Sequence, residues 1–136
     1  MKAGWLLGLM APVMLQAQNR LEVMVEGVQT STGNIQVALF TAQEGFLKPE
    51  GVYRADSVKA HKGTTRVFID DLPPGAYALA IFHDLNENQE LDKNWVGIPK
   101  EPMGFSNARV KTFGPPSFEE CQVDFRQDMS ISVRLE

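Results

Sequence analysis

A chain of 136 residues, 43% hydrophobic and 22% charged, has enough apolar material for one globular domain and is not of disordered composition. The formal net charge of -4 and the lack of any basic run argue against nucleic-acid binding, and a single cysteine excludes an internal disulfide or a multi-cysteine zinc site. Eleven glycines and eight prolines, most of them after residue 26, indicate turns and short elements rather than a helical bundle.

Lys2 precedes an apolar run from Ala3 to Leu15, interrupted only by Gly4, Gly8 and Pro12 and followed by Gln16, Ala17, Gln18 and Asn19. This is the layout of a secretory signal peptide, expected over residues 1–17 with cleavage after Ala17. The run is shorter than the roughly 20 residues a helix needs to span a bilayer. An uncleaved anchor or a buried N-terminal helix are the other readings. Residues 18–136 are then expected to form one exported domain, in the periplasm, at the cell surface or secreted, with no membrane insertion after cleavage.

Along the mature chain a period of two dominates. Leu21, Val23 and Val25 alternate with Glu22, Met24 and Glu26, as in a strand with one buried face. Ile35, Val37 and Leu39 alternate with Gln36, Ala38 and Phe40, and the short Gly27 to Gly33 link predicts a hairpin between these two strands. Ala55 to Ala60 reads as a short edge strand, and Thr65, Val67 and Ile69 as another strand, stopped by Asp71-Leu72-Pro73-Pro74-Gly75. Ala76 to Phe82 is almost wholly apolar, as expected of a central strand covered on both faces. Cys121, Val123 and Phe125 alternate on one face of a later strand, Ile131, Val133 and Leu135 form the last, and Ser117 to Glu120 is a candidate helical turn. Seven short strands separated by turns predict an all-β, antiparallel, Ig-like β-sandwich. Its core is expected to hold Val37, Leu39, Val67, Ile69, Ala78, Ala80, Val123 and Val133.

The densest set of liganding side chains lies between His83 and Asp92. Asp84, Asn86, Asn88 and Asp92 occupy positions 1, 3, 5 and 9 of a D-x-N-x-N-x-x-x-D loop, and Glu90 offers its carbonyl from position 7. Oxygens at alternate positions let a short loop curl round a hard cation, so calcium is the expected cofactor, held weakly. Glu101 would add a further oxygen. Gln89 stands where a calcium loop of this kind carries Gly, and Trp95 where it carries the bidentate Glu. An Asx-rich turn is the alternative use of the same residues.

His83 is read as a partly buried imidazole bonded to backbone, and Cys121 as a buried, inert thiol. With Glu101, the segment Phe105, Ser106, Asn107 is a candidate ligand-facing rim, joined by His83 at the strand end, and an aromatic loop anchor that plugs the end of the sandwich is the commoner use of such a segment. No catalytic residue is assigned, since no nucleophile stands in a motif such as G-x-S-x-G.

The chain resembles the secreted bacterial family catalogued as domain of unknown function 2141. The resemblance rests on Gly33-Asn34-Ile35-Gln36-Val37-Ala38-Leu39-Phe40, on Leu72-Pro73-Pro74-Gly75-Ala76-Tyr77-Ala78, on His83-Asp84-Leu85-Asn86-Glu87-Asn88 with Leu91-Asp92, and on the run from Gly97 to Asn107. It implies a transthyretin-like seven-stranded sandwich, an exported location and no established activity. The expected function is a non-enzymatic binding or accessory module whose partner is a protein or small molecule at the cell envelope. A small secreted hydrolase and a purely structural surface protein are the alternatives.

Overall fold

Each alternating segment has one apolar face to bury, and the chain buries those faces by laying two sheets together. The computed structural model describes residues 19–88, 101–109 and 114–136, and the expected leader lies outside them. Among the described residues the strands are β1 (Leu21–Val28), β2 (Asn34–Phe40), β3 (Arg54–Lys59), β4 (Gly63–Ile69), β5 (Gly75–Asp84), β6 (Met103–Phe105), β7 (Gln122–Phe125) and β8 (Met129–Arg134). One helical turn, α1 (Phe118–Cys121), leads into β7.

The first sheet has the order β4-β1-β8, and the second β3-β2-β5-β6 with β7 also on β5. β6 and β7 share one side of β5, β7 beside Gly75 to Ala78 and β6 beside Ala80 to Phe82. Three expectations are corrected here. There are eight strands among the described residues, not seven, because the three-residue β6 is too short to show alternation in sequence. The sheets are not wholly antiparallel, since β8 runs parallel to β1 with Leu21 opposite Met129. β1 and β2 do not form a hairpin: β1 pairs with β4 and β8, and β2 with β3 and β5. The link between them carries the chain from one sheet to the other, a path that its length allows equally well.

The inter-sheet core is built from Leu21, Val23 and Val25 of β1, Val67 and Ile69 of β4, and Val133 of β8. These pack with Ile35, Val37 and Leu39 of β2, Tyr77, Leu79 and Ile81 of β5, and Val123 and Phe125 of β7. Ala78 and Ala80 belong instead to the opposite face of β5, which corrects their expected place. On that outer face Phe40, Phe46, Ala78, Phe105, Phe118 and Cys121 form a second cluster, with Phe46 edge-on to both Phe40 and Phe118. β5 is thus covered on both faces, as its sequence predicts.

Ser117 caps α1 through a capping box: its hydroxyl accepts from Glu120 N, and the Glu120 carboxylate accepts from Ser117 N. Cys121 is therefore the last residue of a helical turn, not the first of a strand. The change of backbone conformation turns it towards the outer cluster, away from Val123 and Phe125. At the β4–β5 turn the Tyr77 hydroxyl donates to the carbonyl of Pro73 at 2.5 Å. Arg54 ties β3 to the end of β4 by donating to the Asp70 carbonyl, and the chain from Asn19 is fixed at the same end of the sandwich by Leu72 N donating to Asn19 O. The other end gathers the link before β2, the end of β5 and the residues leading into β6.

Candidate functional site

β5 ends in His83 and Asp84, neighbours that alternation sends to opposite faces. Both are fully buried. His83 follows Tyr77, Leu79 and Ile81 on the inter-sheet side. Its Nε2 lies 2.6 Å from the Thr32 carbonyl, and because a carbonyl only accepts, Nε2 carries the proton. Nδ1 has no hydrogen-bond partner among the described residues. The imidazole is tied to backbone, and it is fully buried where the sequence suggests partial burial.

Asp84 takes the outer side, at the start of a tight loop. One carboxylate oxygen accepts from the side chain of Gln36 at 3.3 Å, and the other, Oδ1, accepts from Asn88 N at 3.2 Å. Asn86 Oδ1 accepts from the same Asn88 N at 3.3 Å. Oxygens from the first and third loop positions therefore converge on one point. Glu101, 6% exposed, reaches the loop from the bend just before β6, and its Oε2 accepts from Leu85 N at 2.7 Å. Glu87 closes the turn in the left-handed region at φ 56, and its carboxylate accepts from Asn34 Nδ2 at 3.3 Å.

The loop is seated on the link before β2. A Cβ on Gly33 would lie 2.3 Å from the Asp84 carbonyl oxygen, so only glycine permits this approach. The register sets Asn34 opposite Asp84, with Gln36 two residues further along the same face of β2. Asn34, Gln36, Thr32 and Gly33 are thus parts of the site that the sequence reading missed. The polar, outward positions of Asn34 and Gln36 were visible there, but their meaning depends on the pairing of β2 with β5.

The structure brings Asp84, Asn86, Asn88 and Glu101 together and sets His83 on the other face of β5. Glu90 and Asp92 lie outside the described residues. Phe105 is buried in the outer cluster. Ser106 is buried too, its hydroxyl donating to the Cys121 carbonyl at 2.5 Å and accepting from Leu79 N at 2.9 Å. Asn107 is exposed, with its side-chain amide donating to the Gln122 carbonyl at 2.7 Å. These last two fasten the end of β6 to the α1–β7 junction, at a distance along β5 from the Asp84 loop.

The donor set at the loop is oxygen alone, which suits a hard cation and not zinc or copper. The same contacts also close an Asx turn without any ion. No group of three or more His, Cys, Asp or Glu side chains arranged to hold a metal is found among the described residues.

Residues 23–132 match the family described as uncharacterized protein conserved in bacteria, DUF2141. The chain belongs to that family. The DUF2141 match runs from Val23 in β1 to Ser132 in β8, so the family's unit takes in both sheets and the Asp84 loop. No curated protein and no solved structure matches the chain. Among the described residues, no helix is long and apolar enough to cross a membrane.

Proposed function

We propose that this DUF2141 chain is an exported, non-enzymatic binding or accessory module, a transthyretin-like sandwich whose loop from Asp84 takes up calcium. The observation that carries the calcium reading is the convergence of Asp84 Oδ1 and Asn86 Oδ1 on Asn88 N, with the Glu101 carboxylate on the adjoining Leu85 N. Three acceptor groups stand at one turn, and a calcium ion needs six to eight oxygens, so Asn88, Glu90, Asp92 or water would supply the rest. The two facing sheets and the Pro73-Pro74-Gly75 turn held by Tyr77 support the sandwich type. The Lys2 and apolar Ala3 to Leu15 pattern supports export.

Only two of the four side chains at alternate loop positions, Asp84 and Asp92, carry charge, so the dissociation constant is expected at about 10⁻⁴ to 10⁻³ M, a range filled where calcium is near millimolar. Binding to the folded state alone adds RT ln(1 + [L]/Kd), about 1.4 kcal/mol at ten times Kd. The test is the melting temperature in chelator and in several millimolar calcium. Wild type should melt higher with calcium, and Asn86→Ala, at an exposed position, should lose most of that gain, with a chelator melting temperature lowered only by the loss of its turn hydrogen bond to Asn88 N. An unchanged wild-type melting temperature would establish the loop as an Asx turn and remove calcium from the reading.

A further inference from the structure

No further inference is drawn: the strongest candidate, the fully buried His83 ring at the end of β5 whose Nδ1 has no partner among the described residues, stands on the inter-sheet face away from the Asp84 carboxylate, and nothing in the structure shows what it would bind.

Discussion

Replacing Gly33 by alanine tests how the link before β2 is seated against the Asp84 loop. Two costs add at this position. The first is conformational, since φ is +73 and an L side chain in the left-handed region costs about 1 to 2 kcal/mol. The second is steric. The new Cβ would meet the Asp84 carbonyl oxygen at 2.3 Å and Leu85 Cα at 2.9 Å, both backbone atoms that cannot swing aside. Ordinary contact begins at 3.4 Å, so the two segments must part by about 1 Å. Parting strains the bonds on either side of Gly33: Ala60 N to Gly33 O at 3.1 Å, and His83 Nε2 to Thr32 O at 2.6 Å. Leaving one such buried group unsatisfied costs about 1 to 3 kcal/mol, so the expected total is about 2 to 5 kcal/mol. Gly114→Ala is the matched control, with φ +71 and no heavy atom within 4 Å, and should show the conformational cost alone. Urea unfolding of both variants, followed by far-ultraviolet circular dichroism, measures the difference. Equal losses for the two would mean that Gly33 does not abut the Asp84 carbonyl and that the described seat of the loop is wrong.

Leu39, fully buried between the sheets, should cost about 2 to 5 kcal/mol when truncated to alanine, and a loss within about 0.5 kcal/mol would refute the register of β2. Tyr77→Phe should lose about 1 kcal/mol at neutral pH with the bond to Pro73. Burial, and then the neighbouring Tyr53, raise the Tyr77 pKa above its ordinary value of about 10. The unfolded chain therefore releases this proton first, so the Tyr77 contribution is intact below about pH 10 and fades as pH rises through the folded-state value. An alkaline titration of unfolding free energy should fall less steeply above pH 10 in Tyr77→Phe than in wild type, and parallel curves would refute the assignment. Mass spectrometry of the protein exported from its native host should show the loss of about 17 residues, and an intact Met1 would refute export by a cleaved leader.

Much of this fold was legible because alternation is a property of a single strand. Leu21, Val23 and Val25, or Ile35, Val37 and Leu39, declare a buried face without reference to any neighbour. The helical turn at Ser117 is equally local, since the capping box that closes it in the structure spans only the four residues Ser117 to Glu120. Pairing is different, because it is a property of two strands. The link between β1 and β2 can close a hairpin or cross between sheets, and nothing within the link decides which. The parallel pairing of β1 with β8 joins the two ends of the described sandwich, more than 100 residues apart, as the bond from Arg20 N to Asp128 also shows. No local signal carries that distance.

The site shows the same division between what one segment states and what two must decide. Asp84, Asn86 and Asn88 stand out by spacing alone, and the fold does gather them in one turn. Glu101 joins them only because the residues just before β6 lie beside the end of β5, with His83 N donating to the Pro102 carbonyl. Phe105 and Ser106 lie in an irregular segment that reads either as a ligand-facing rim or as an anchor plugging the sandwich. Yet Phe105 fills the outer cluster, and the Ser106 hydroxyl satisfies both Leu79 N and the Cys121 carbonyl. Ala78 and Ala80 were misplaced because an apolar residue on either face of β5 looks the same in sequence. Side-chain size separates the faces: Tyr77, Leu79 and Ile81 fill the space between sheets about 10 Å apart, while Ala78 and Ala80 leave room for Phe46, Phe105 and Phe118 to close over the outer side. Within a doubly covered strand, volume is thus the signal that hydrophobicity leaves out.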